Sequence, residues 1–189
     1  MSLDPSRIVI LSGPSGVGKD SVLDRWMERD PRVERVVAAT TRNPRDGELD
    51  GDSYHFMSLD GFHDAAAAGR FLEFKEVHGN WYATPWSGIE AIQDRGGIAV
   101  LKIDVQGALE VLKEHPVIVS VFLLPPDMDE LEKRIRGRKT DDEATIERRL
   151  ENAREEILNS QFYRFRLVNN DIERVVDELE SLVLATEKK

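Results

Sequence analysis

The chain has 189 residues and a formal net charge of -10, with 40% hydrophobic and 33% charged residues. That length is ample for one buried core, and the acidic balance argues against general binding to nucleic acid or anionic membranes, which need basic surfaces. The absence of cysteine excludes disulfides, thiol catalysis and cysteine metal sites.

The opening residues Met1 to Pro5 lack the basic region and apolar core of a signal peptide, and no run is long enough to span a bilayer. A reducing cytoplasm is therefore the expected setting. Ile8 to Leu11 reads as a buried strand. It runs into Gly13-Pro14-Ser15-Gly16-Val17-Gly18-Lys19-Asp20, followed by an amphipathic pattern carrying Val22, Leu23, Trp26 and Met27. Strand, glycine-rich loop and helix are the context of a P-loop. Its glycines let backbone N–H groups converge on phosphate oxygens, the helix start adds its positive dipole end, and Lys19 supplies a point charge. The loop is expected to bind a nucleotide. Its last position departs from the usual Ser or Thr that ligates Mg²⁺, being Asp20; a carboxylate is also a hard magnesium ligand.

Asp30-Pro31 ends the first helix, and Val33 to Ala39 reads as one strand. Thr40 to Ser53 is polar, with turns at Asn43-Pro44 and Asp46-Gly47. Short strands are expected at Tyr54 to Phe56 and Phe71 to Val77, around a small helix ending at Gly69. Gly79-Asn80 turns the chain, and a helix is expected from Trp86 to Asp94. After Gly96-Gly97, the apolar runs Ile98 to Ile103 and Val117 to Leu124 suit strands buried on both faces, with a helix from Gly107 to Glu114 between them. Alternating strands and helices argue for an α/β fold with a parallel sheet. Asp127 and Glu130 signal the start of a helix whose exposed side would carry Arg134 and Arg138. Thr140 and Glu143 would start the next, with the apolar stripe Ile146, Leu150, Ala153 and Ile157; a strand near Arg166 to Val168 and a last helix close the chain.

Arg42 and Arg45, in a Pro/Gly loop with Tyr54 following, offer two guanidinium forks and a phenol hydroxyl suited to a phosphate dianion. None of the four histidines has metal-ligand spacing.

Four segments, GPSGVGKD (13–20), TTRNPRDGELDGDSYHF (40–56), FLEFKEVHGNWYATP (71–85) and KIDVQGA (102–108), together resemble guanylate kinase in order and spacing. The resemblance implies transfer of a phosphoryl group from ATP to GMP, and to dGMP, with Mg²⁺ as cofactor. It also implies a P-loop core with an inserted GMP-binding module and a helical lid: core at 1–39, 98–126 and 150–189, module at 40–97, lid at 127–149. By the same resemblance Arg42, Arg45, Tyr54 and Tyr82 would grip the GMP phosphate. Glu73 would accept hydrogen bonds from the guanine N1–H and amine, and Thr84 and Asp104 would complete the base pocket. Lys19, Arg42, Arg134, Arg138 and Arg149 would carry the charge stabilisation.

Three positions depart from the family pattern. Ala38 stands where a guanine-contacting serine is common, and Ala83 replaces a glycine, which is expected to reshape the pocket wall. Lys102 occupies the place of a second acid. With Asp20, Lys102 suggests an exchange in which the magnesium carboxylate sits in the P-loop and Lys102 restores local charge balance. The alternative is that Asp20 merely caps the helix. Two other functions remain open: a ribose bisphosphokinase, whose P-loop could also end in Gly-Lys-Asp, and a non-catalytic scaffold module that binds phosphorylated partners.

Overall fold

The structure, a computed structural model, describes residues 3–77, 79–137 and 142–187. In chain order the elements are β1 (Ile8–Ser12), α1 (Lys19–Arg29), β2 (Val33–Arg35), β3 (Ala39–Thr40), β4 (His55–Phe56), α2 (Leu59–Ala67), β5 (Phe71–Val77), β6 (Asn80–Pro85) and α3 (Trp86–Asp94). They continue with β7 (Ile98–Leu101), α4 (Val105–Glu114), β8 (Val119–Leu124), α5 (Met128–Arg136), α6 (Glu143–Leu158), β9 (Phe165–Val168) and α7 (Ile172–Glu187).

The main sheet has the order β2-β7-β1-β8-β9 and is parallel throughout. Its central strand shows why such strands read as unbroken apolar runs. Val9 and Leu11 pack into a cluster with Trp26 and Leu23 of α1 and Val176 and Leu179 of α7, while Ile8 and Ile10 pack on the other face with Ile89 of α3 and Ala108 and Val111 of α4. Both faces are therefore dry, and each large side chain so buried contributes about 1.5–3 kcal/mol.

A second sheet, β4-β3-β6-β5, stands apart from the first. Its strands β4 and β3 have 2 residues each and β6 and β5 have 6 and 7, and it is held by its own cluster of Ala39, Phe62 and Ala83, with Met57, Phe71 and Trp81 packed against it. Phe62 lies 4.9 Å from Phe71 and 5.7 Å from Trp81 between ring centroids. Helices α5 and α6 pair through a third cluster, Leu131, Ile135, Ile146, Leu150 and Ala153.

The chain departs from the expected elements in four places. The run Val33 to Ala39 is two strands, because Val36 gives its N–H to Val100 at the end of the main-sheet pairing and the chain then crosses to the second sheet. Residues Asn80–Pro85 form a strand that the turn at Gly79-Asn80 obscured. Helix α6 is capped by Asp142, whose carboxylate accepts the Thr145 N–H at 2.8 Å; Thr140 lies outside the described residues. Arg134 is not on the exposed side of α5 but half-buried against the P-loop.

Candidate functional site

The P-loop connects the C-terminal end of β1 to α1. Gly13, Gly16 and Gly18 all have positive φ (145°, 86° and 100°). A Cβ at Gly13 would lie 2.5 Å from the Leu123 carbonyl oxygen of β8, and one at Gly16 would lie 2.9 Å from Ile135 of α5. Only glycine permits both the turn and these approaches. Pro14 is buried, Ser15 half-buried and Val17 fully buried, so the loop is seated on the sheet rather than free. Lys19 turns its ammonium back onto the Gly13 and Pro14 carbonyls, 3.0 Å from the latter.

Asp20 does not cap α1. The N-cap is Gly18, which makes no side-chain bond, and the Asp20 carboxylate instead pairs with Lys102 Nζ just beyond β7, with Arg35 at 3.9 Å. Burial alone would raise the Asp20 pKa, but the Lys102 hydrogen bond and the Lys102, Arg35 and Lys19 charges outweigh it and hold the group below its ordinary value. The result is an ionised, exposed oxygen donor beside the phosphate loop. Among the described residues no three His, Asp or Glu gather as a metal cage. Magnesium does not need one, since it keeps several waters and takes one or two carboxylates plus phosphate oxygens. The residues present fit the ion.

On the second sheet, strand alternation sorts the side chains. Trp81 and Ala83 face the module's own core, so Tyr82 and Thr84 point the other way. Ala83 is 1% exposed, packed with Ala39 and Phe62 in the module's core. On β5 a register shift between Phe71 and Glu73 lets Phe71 and Phe74 both meet Phe62, while Glu73 opposes Thr84 and Lys75 opposes Tyr82. The Thr84 hydroxyl donates to Glu73 Oε1 at 2.6 Å. Burial pushes the Glu73 carboxyl above the usual range; Asp104 and Glu110 push it the same way, against the pull of the Thr84 hydroxyl and Lys75.

Arg42, Tyr54 and Tyr82 come together. The Arg42 guanidinium carbon lies 5.4 Å from the Tyr54 ring centre, and the two tyrosine rings meet edge-on at 5.9 Å. Glu48, which the sequence reading passed over, fixes this group. It accepts two bonds from Arg42 at 2.8 and 2.9 Å and a third from the Arg45 N–H at 2.8 Å. An acid three residues after Arg45 in a turn-rich loop was the available signal. The Arg45 side chain itself stands exposed at the loop.

Asp104 caps α4, accepting the Gly107 N–H at 2.9 Å, and its other oxygen meets Lys75 Nζ at 3.0 Å. Gly107 touches Glu73: a Cβ there would lie 3.0 Å from Glu73 Oε2. A cleft of ≈ 520 Å³ opens between β5, the start of α4 and α6, with Lys75, Asp104, Gln106, Asn152 and Glu156 on its walls. Burial raises the Glu156 pKa, against the pull of the nearby Lys19 charge. Arg134 reaches the P-loop itself, donating to the Val17 and Asn169 carbonyls at 3.2 Å each. Arg149 is half-buried on α6; Arg138 lies outside the described residues. No helix among the described residues is long and apolar enough to cross a membrane.

A parallel sheet whose central strand feeds a glycine loop and a helix defines a P-loop nucleotide-binding protein. The guanylate kinase family model matches residues 5–186. The chain is 42% identical to a guanylate kinase of Aromatoleum aromaticum over 182 residues, 96% of this chain and 89% of that protein. It is 43% identical to one of Nitratidesulfovibrio vulgaris over 172 residues, 91% and 83% of the two chains. The crystal structure of guanylate kinase from Anaplasma phagocytophilum superposes with a TM-score of 0.72 at 32% identity, covering 96% of this chain and 86% of that one. The chain belongs to the guanylate kinase family.

Proposed function

We propose that this chain performs its family's reaction, phosphoryl transfer from ATP to GMP giving ADP and GDP, with the P-loop as donor site and the second sheet as acceptor site. The observation that carries the assignment of sites is the single face of β5 and β6 that presents Glu73, Thr84 and Tyr82 together, with Arg42 and Tyr54 beside them. Two donors on the guanine edge, N1–H and the exocyclic amine, match one carboxylate; adenine lacks that pair and would leave Glu73 unsatisfied. Charge-assisted bonds of this kind contribute roughly 1.5–3 kcal/mol each, enough for tenfold or greater discrimination. Asp104 completes the pocket through its hold on α4 and Lys75. Arg42, Arg45, Tyr54 and Tyr82 hold the acceptor phosphate.

That phosphate is already anionic at neutral pH, so no base has to remove a proton; the residues orient and stabilise charge. The backbone N–H groups of the 13–20 loop, all but that of Pro14, which has none, cradle the donor's phosphates, with Lys19 swinging from the loop carbonyls to the terminal oxygens. Arg134, Arg138 and Arg149 of the lid helices offset the charge spread over the transferring group. Asp20 would hold Mg²⁺, which supplies neutralisation of the phosphate oxygens when bound. A cysteine-free chain suits the reducing cytoplasm where these nucleotides are used.

A coupled ADP-release assay with GMP, dGMP, AMP and ribose 1,5-bisphosphate tests the proposal. Turnover is expected with GMP and dGMP. Turnover with ribose 1,5-bisphosphate instead, or none with any acceptor, contradicts it.

A further inference from the structure

Lys75 joins the two sides of the acceptor pocket. It stands half-buried on β5, two residues from Glu73 and so on the same face of the strand, opposite Tyr82 of β6. Its ammonium leaves the second sheet and donates to Asp104 Oδ2 at 3.0 Å and to Gln106 Oε1 at 2.6 Å, both at the start of α4. The other Asp104 oxygen accepts the Gly107 N–H at 2.9 Å, and a Cβ at Gly107 would lie 3.0 Å from Glu73 Oε2. Lys75, Asp104, Gly107 and Glu73 thus form a closed circuit, in which the strand that carries Glu73 is tied to the helix turn that backs it.

Glu73 sits among acids. Asp104 and Glu110 face it from α4, and from β6 the neutral Thr84 hydroxyl donates to it at 2.6 Å. Glu156 of α6, whose carboxyl feels the Asp104 and Lys75 charges, stands on the wall of the same cleft. Against burial and these acids stands the Lys75 charge on Glu73's own strand. Without it, like charges this close would favour a proton on Glu73. We propose that Lys75 is a positioning residue for the acceptor's base: it clips β5 to α4 through Asp104 and Gln106, and its charge offsets the acids gathered around Glu73, so that Glu73 meets guanine with no proton of its own. The inference rests on the reading of Glu73 as the group that selects guanine.

The test is steady-state kinetics of the full chain at pH 5 and pH 8, with GMP and ATP varied in turn, for the parent, Lys75→Met and Lys75→Arg. The quantity read is the KM for GMP at pH 5 divided by that at pH 8. Protonation of the GMP phosphate is common to parent and variants and cancels when these quotients are compared. The Lys75 side chain is 34% exposed, so neither substitution strands a group in the core. Methionine keeps an unbranched stem and removes the charge. Its quotient is expected to rise about threefold over the parent's, the size of effect that one partly solvated charge exerts on a neighbouring carboxyl, while the quotient for ATP keeps the parent's value. Arginine keeps the charge and can reach both oxygens, so its quotient should return to within about twofold of the parent's. In a Glu73→Gln background, Lys75→Met should leave the quotient unmoved. A KM for GMP raised by the same factor at both pH values would mean that Lys75 touches GMP directly or only braces the fold, and overturns the proposal. A pH effect that persists without Glu73, or an arginine variant that behaves as the methionine one does, overturns it too. If Glu73→Gln by itself leaves the preference for GMP over AMP intact, it is the reading of Glu73 that fails.

Discussion

Glu73 is asked to be ionised for guanine and buried for selectivity, and the two demands oppose each other. Burial, with Asp104 and Glu110 nearby, raises its pKa above the ordinary value, so the free protein takes up a proton there at a higher pH than an exposed glutamate would. The protonated carboxyl presents an O–H where guanine also presents donors. The KM for GMP is therefore expected to rise as pH falls through this raised pKa, beginning above the usual carboxylate range, and the Glu73→Gln variant should lose that dependence. Initial rates across pH 5 to 8 check it. Asp20 is the opposite case, held ionised by Lys102. Asp20→Ala is expected to raise the magnesium concentration needed for half-maximal rate by roughly tenfold or more. An unchanged magnesium titration would return Asp20 to an ordinary surface role. Single residues were legible in the sequence where they sat in a spaced motif, as Lys19 and Arg42 do. Glu48 and Lys75 were not, because what matters about them is a bond formed across space: Lys75 lies 29 residues from the Asp104 carboxylate it meets.

At the scale of elements, the three inner strands of the main sheet, β7, β1 and β8, could be read from continuous apolar runs, since burial on two faces removes the polar alternation that blurs short strands. Strand β6 was hidden for the reverse reason. It alternates between the module's core and the site face, so Trp-Tyr-Ala-Thr reads as neither a clean strand nor a helix. Helix α5 was legible from its cap at Asp127 and α6 from its apolar stripe, but the docking of Arg134 depends on where α5 lies over the loop, which no local pattern records. The meeting of α4 with β5 gives a test at this scale. Gly107→Ala would place a methyl about 3 Å from Glu73 Oε2 and displace the carboxylate. The KM for GMP is expected to rise several-fold while that for ATP stays put, as steady-state kinetics with each substrate varied in turn would reveal.

Over the whole molecule, the proposed function gives one sheet the donor cradle and the other the acceptor's pocket, and each sheet has its own hydrophobic cluster. The second sheet and the pair α5 and α6 each pack on a cluster of their own, an arrangement that would suit a reaction that must exclude water around two phosphates. Selection of the acceptor then rests on how one face of the small sheet is dressed. The most direct measurement is the ratio of kcat/KM for GMP over AMP in the parent and in Glu73→Gln. The account expects the parent to favour GMP strongly and the variant to lose tenfold or more of that preference; a variant that discriminates as sharply as the parent would contradict it.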